Sequence, residues 1–155
     1  MEITNFIALS VIVAAVLGIG LGTMTWAYYG KGSISVLFKE PVLTSPEFPA
    51  TDDGKKAAVY FQQGIAAYQA GNYRKAKDKF SSAIQLISTL AEAYHNRGLA
   101  FANLRSDDEA VVNLIGASEL YQQQGNKLGL DLLKQNLEAL KQRKLEREKQ
   151  KEIKK

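Results

Sequence analysis

One imidazole and one run of three carboxylates are the side chains in this 155-residue sequence whose types suit acid–base or metal chemistry. His95 is the only histidine, and there is no cysteine. A zinc site built from several histidines or thiolates is thereby excluded, as are disulfides and a cysteine nucleophile. No serine in a nucleophile motif accompanies His95, so the ring reads as part of a binding surface and not as a general base. Asp107, Asp108 and Glu109 directly follow Ser106. That spacing is a capping box with an acidic first turn, which predicts a helix start and not a metal site. Gly18, Gly20 and Gly22 look like part of a phosphate loop, but the full spacing and the preceding strand are missing, and the glycines lie in an uncharged stretch. The sequence therefore predicts no enzyme and no cofactor.

The elements that position these residues fall into compartments. Residues 1–30 carry a net charge of −1, residues 31–140 are balanced, and residues 141–155 hold eight basic and three acidic groups. The overall charge of +4 thus belongs to a tail, and a uniformly basic nucleic-acid-binding surface is not indicated. Residues 6–29 contain no charged side chain. As a helix they would be roughly 36 Å long, enough to cross a hydrocarbon core of about 30 Å. Trp26, Tyr28 and Tyr29 cluster at the far end, where an aromatic belt belongs. A cleaved signal peptide would begin with basic residues and have a shorter apolar core, whereas this segment begins with Glu2. A retained single-pass anchor over residues 1–30 is the expectation. Lys31 and Lys39 follow the span and no basic residue precedes it, which places the rest of the chain on the cytoplasmic or stromal side. Ser10, Ala14, Gly18 and Gly22 recur every four residues, a small-residue stripe suited to close packing against a second transmembrane helix.

Residues 31–54 contain all three prolines and no helical period, and read as a linker. A coil of this length spans about 27 Å, keeping whatever follows near the membrane surface. Its apolar run at residues 34–38 is too short to cross a bilayer and would lie among lipid headgroups or dock on the helices that follow. Asp52, Asp53 and Gly54 read as a turn leading into a helix.

Residues 57–90 and 91–124 align at an offset of 34. Identities fall at Ala57/Ala91, Tyr60/Tyr94, Gly64/Gly98, Ala66/Ala100, Ala76/Ala110, Ala83/Ala117 and Leu86/Leu120. Small and large apolar residues are kept while polar positions drift, as two stacked helix pairs require. The aromatic residues Tyr60 and Tyr94, the glycines four positions later, and the alanines of the second helices together resemble the tetratricopeptide repeat (TPR) family over about 68 residues. Two departures stand out: Ser88 and Gln122 replace the usual closing proline, and Arg105 replaces the turn glycine that Gly71 supplies in the first repeat. After Gly125, Leu128, Leu132, Leu133, Leu137 and Leu140 predict a helix over 125–140 that caps the stack. Residues 141–155 read as a basic helical or frayed extension whose alternative use is contact with anionic lipid or an acidic partner.

The expected fold is all-α: one N-terminal transmembrane helix, a two-repeat TPR stack over 55–124, and a C-terminal capping helix. The TPR resemblance implies a peptide-binding groove formed by Phe61, Ile65, Tyr68, His95, Asn96 and Leu99. It also argues against a clamp for chaperone C-termini, because Phe61 and Ile65 stand where such clamps carry Lys and Asn, and only Asn96 matches. An extended or helical segment with apolar anchors is the better ligand. The whole arrangement is similar to small, N-terminally anchored TPR proteins that assist photosystem I assembly in cyanobacteria and plastids. That similarity implies a thylakoid location, membrane-complex subunits such as those of photosystem I as partners, contact with lipid, and no nucleic acid. A membrane-anchored receptor for targeting peptides and a generic bacterial membrane scaffold are the alternatives.

Overall fold

The computed structural model describes residues 36–43 and 46–153. The expected span, with Ser10, Ala14, Gly18 and Gly22, lies outside the described residues. Among the described residues no helix is long and apolar enough to cross a membrane. They form five α-helices and no strand: α1 (Asp52–Gln69), α2 (Tyr73–Leu86), α3 (Ala91–Asn103), α4 (Asp107–Gln123) and α5 (Lys127–Ile153). Each helix packs on the next in sequence, and α3 also touches α1 and α5.

Three helices end in the same way. Gly71, Arg105 and Gly125 all take left-handed backbone angles, with φ of 74°, 66° and 66°. In each case the following N–H reaches back to close the last helical turn: Asn72 to the Ala67 carbonyl at 2.9 Å, Ser106 to Phe101 at 3.0 Å, and Asn126 to Tyr121 at 2.9 Å. Glycine adopts this conformation freely, but Arg105 does so at a cost of about 1–2 kcal/mol. The turn geometry is thus kept even where the glycine is not.

The helix starts are less uniform. Thr51 caps α1, its hydroxyl accepting from Gly54 N at 3.1 Å, so Asp52, Asp53 and Gly54 form the first helical turn and not a turn before it. Asn72 caps α2 and Asn126 caps α5 through their side-chain oxygens. Ser106 stands at the cap position of α4 but makes no side-chain capping bond. The expected capping box is therefore absent: the Asp107 carboxylate instead pairs with Arg143 and, at 2.9 Å, with Arg147 of α5.

Close helix approach within each pair runs through a glycine. A Cβ on Gly64 would lie 2.6 Å from the Phe80 ring, and one on Gly98 would lie 3.0 Å from Leu114 Cγ. Phe80 and Leu114 are fully buried, as are the alanines Ala76, Ala83, Ala110 and Ala117 that let the second helices approach. α5 covers the end of this stack with Leu133 and Leu140, while Leu132 and Leu137 are partly buried. Leu128 is 63% exposed, contrary to the expected leucine face, and Leu130 packs instead. α5 continues without a break past residue 140 to Ile153, and Arg143 within the basic stretch is buried against α4.

Candidate functional site: a groove holding an extended segment

α1 and α3 present their inner faces side by side. On α1, Phe61, Ile65 and Tyr68 recur at helical spacing, and on α3 His95, Asn96, Leu99 and Asn103 do the same. All seven are buried; Phe61 and Leu99 are each only 2% exposed. Of the six expected groove residues, Phe61, Ile65, Tyr68 and Leu99 share one apolar cluster and Asn96 holds Val42, whereas His95 contacts other partners; all six are buried and do not line an open cleft. The chain's own Leu37, Phe38, Val42 and Phe48 lie against this face.

The contact is made largely through backbone groups. Asn96 faces Val42 with its whole amide: Oδ1 accepts from Val42 N at 2.7 Å, and Nδ2 donates to Val42 O at 3.0 Å. One turn-pair further along α3, Asn103 Oδ1 accepts from Leu37 N at 3.1 Å and Phe38 N at 3.0 Å. Asn103 Nδ2 donates to Phe38 O at 2.7 Å and to the Tyr68 hydroxyl at 2.9 Å. Tyr68 in turn donates its own O–H to Phe38 O at 2.8 Å. Two asparagines and one tyrosine thus satisfy buried polar groups of a segment that is neither helix nor strand and that bends at Leu37 and Glu40. The Phe38 and Val42 side chains are buried at the same time, and the Phe48 ring meets Phe61 edge-on at 5.9 Å. Burial, reinforced by nearby Tyr73, pushes the Tyr68 phenol well above its usual range, so it stays a hydrogen-bond donor.

This changes the reading of the linker. Residues 36–43 are coil, but docked coil with specific partners. The physical reason is that a backbone outside helix and sheet carries unpaired amides, and Asn96 and Asn103 supply matching pairs of donors and acceptors at two points along it. Asn103 was not among the expected groove residues. Its signal was its position seven residues after Asn96, on the same helix face.

His95 sits apart from the strand contacts. Its Nε2 lies 2.8 Å from Asn136 Nδ2 and its Nδ1 lies 3.4 Å from the Tyr121 hydroxyl, with the two rings edge-on. An amide donor at Nε2 makes that nitrogen the acceptor and leaves the proton on Nδ1. Burial lowers the pKa of His95 to about 4. The ring is thus neutral at pH 7 and joins α3 to α5, where the sequence had suggested a groove position. Among the described residues no cluster of three or more metal-ligating side chains occurs.

No family model matches the chain, and no solved structure matches it. Over 82 residues, 53% of the chain, it is 30% identical to the mitochondrial import receptor subunit TOM34 of Homo sapiens, and equally so to that of Pongo abelii. The matched region covers 26% of those longer proteins. The likeness, together with stacked helix pairs at a repeat of 34 residues, describes a distantly TPR-like protein whose regular structure among the described residues is all helical.

Proposed function

We propose that the chain is a non-enzymatic, membrane-anchored protein-interaction module whose groove takes an extended segment of a client protein. The observation that carries this reading is the pair of amide clasps at Asn96 and Asn103. They recognise backbone, so they suit any extended chain with apolar side chains at the Phe38 and Val42 positions. Residues 36–43 are the resident occupant, and a client segment of the same chemistry exchanges with them. The uncharged stretch over residues 6–29 supports single-pass anchoring. With the small-residue stripe, it favours a role in assembling or stabilising a membrane complex. Photosystem I is the complex, and the thylakoid the membrane, to which the architectural resemblance points. The 30% identity to an import receptor subunit favours a second reading, capture of targeting peptides.

The test is affinity purification of the full chain from its native membrane, beside the double variant Asn96→Ala with Asn103→Ala and the double variant Gly18→Leu with Gly22→Leu. Photosystem subunits that are lost with the asparagine variant support the assembly reading. Translocase components lost with the same variant support the receptor reading. Association that survives the asparagine change and disappears with the glycine change removes the groove from the mechanism.

A further inference from the structure

A second concavity lies away from the asparagine clasps. It encloses about 490 Å³ between the 46–49 stretch, the turn between α2 and α3, and the turn between α4 and α5. Its walls differ from those of the groove. Pro46, Pro49 and Ile87 are apolar, whereas Glu47, Glu92, Thr89 and Gln124 supply polar atoms, and no lysine or arginine lines it.

Glu92 is the unusual member. It is 6% exposed. Among the described residues its carboxylate has no cation and no side-chain donor; its one hydrogen-bonding influence is its own backbone N–H. Burial pushes its carboxyl above the usual carboxylate range. Its place in the first turn of α3 lets the helix dipole ease a negative charge, but a dipole explains neither the burial nor the adjoining cavity. A largely buried carboxylate is ordinarily paired; the Glu92 oxygens have no such pair and are not among the fully buried atoms that lack a partner, so they open to the cavity. The remaining polar atoms are mostly acceptors; the exception is Asn126, whose Oδ1 accepts from Gly129 N at 2.9 Å and whose Nδ2 is a donor. Gln124 commits its Nε2 to the Thr89 carbonyl at 2.9 Å, which leaves its Oε1 free to accept. The Thr89 hydroxyl and the exposed Glu47 carboxylate add further acceptors.

We propose that this cavity is a binding site for a guanidinium group, with Glu92 as the buried counter-ion and Glu47 as the rim charge. A guanidinium has five N–H donors in a fixed fork and no acceptor, which fits an acceptor-rich pocket lacking basic residues. Its aliphatic stem lies along Pro46, Pro49 and Ile87. The volume holds one long side chain. The ligand is an arginine presented by a partner protein or a free guanidino compound. This site is separate from the groove reading and stands or falls without it.

The test is an amide chemical-shift titration of the full chain in detergent micelles. The probes are the peptide acetyl-Gly-Ser-Arg-Ser-Gly-amide, its citrulline counterpart, and agmatine. The arginine peptide is expected to shift Thr89, Glu92 and Gln124 saturably, with citrulline, which is neutral and of nearly the same shape, binding at least about tenfold more weakly. Glu92→Gln is expected to weaken arginine binding by about tenfold or more, and Glu47→Gln by less. Tighter binding of the peptide than of agmatine assigns the site to a protein segment, and the reverse assigns it to a free guanidino compound. Equal binding of citrulline and arginine peptides to the unaltered chain overturns the proposal, as does binding that Glu92→Gln leaves unchanged. The citrulline comparison needs no variant, so it decides even where Glu92→Gln folds poorly.

Discussion

At an offset of 34, the first helix pair presents Phe61, Gln62, Ile65 and Gln69 where the second presents His95, Asn96, Leu99 and Asn103. Away from this inner face the two pairs agree: Gly64 matches Gly98, Ala76 matches Ala110, and Ala83 matches Ala117. Positions between the helices of a pair are bound by contact distance, so the same small residues return. Positions on the inner face are bound by what lies against them, and there the two pairs diverge. The first pair contributes rings, with Phe61 between Phe48 and Phe80. The second contributes amides that take hold of backbone. A repeated template thus supplies mainly rings from one pair, with the Tyr68 hydroxyl as their polar atom, and mainly amides from the other.

The largest break in this comparison is expected at Phe61. Phe61→Ala removes a buried ring that touches two others, and should cost about 3–5 kcal/mol in urea unfolding of the full chain. A loss below 1 kcal/mol would mean that the ring contributes to an occupant's surface and not to the core.

Its counterpart His95 can ionise, and Phe61 cannot. The folded pKa of about 4 lies below the ordinary 6.5, so the unfolded chain takes up a proton first as pH falls. The stability that the neutral ring contributes is complete above about pH 6.5 and drains away towards pH 4, a loss of up to about 3 kcal/mol. Denaturant melts should show the gap between the natural chain and His95→Asn narrowing across that window. A gap that stays constant would show that His95 does not titrate there.

The shared glycines allow a finer comparison. Gly64→Ala brings a Cβ to 2.6 Å from a fully buried ring, and Gly98→Ala brings one to 3.0 Å from a leucine Cγ. Both should destabilise, Gly64→Ala by about 2–3 kcal/mol and Gly98→Ala by about 1 kcal/mol. Reversed order in thermal melts would mean that the second pair is the more tightly packed. The smallest effect is a gain. Arg105→Gly relieves a left-handed arginine and should add about 1 kcal/mol, bringing the second turn into line with Gly71.

The helix pairs were legible because close approach leaves a mark in sequence: glycine and alanine must return at the repeat interval. The left-handed turn at Arg105 was not legible, because a backbone conformation can persist after the residue that favours it has gone. The segment docked in the groove left little trace either. Residues 36–43 are hydrogen-bonded mainly through main-chain groups, which every sequence supplies, and their buried side chains, Phe38, Pro41 and Val42, are too few to show a pattern. Asn103 was detectable in principle, as an amide on the Asn96 face of α3. Arg143 was not: one arginine in a basic run looks solvated, and its partner Asp107 is 36 residues away.

Residues 37–42 occupy the groove through Asn96 and Asn103. Residue-resolved amide hydrogen exchange of the full chain measures this directly. The Leu37, Phe38 and Val42 amides should be protected although they belong to no helix. Asn96→Ala should release Val42 first, and Asn103→Ala should release Leu37 and Phe38, while the α3 amides stay protected. Exchange at open-chain rates for all three in the unaltered protein, with α3 still protected, would contradict the account.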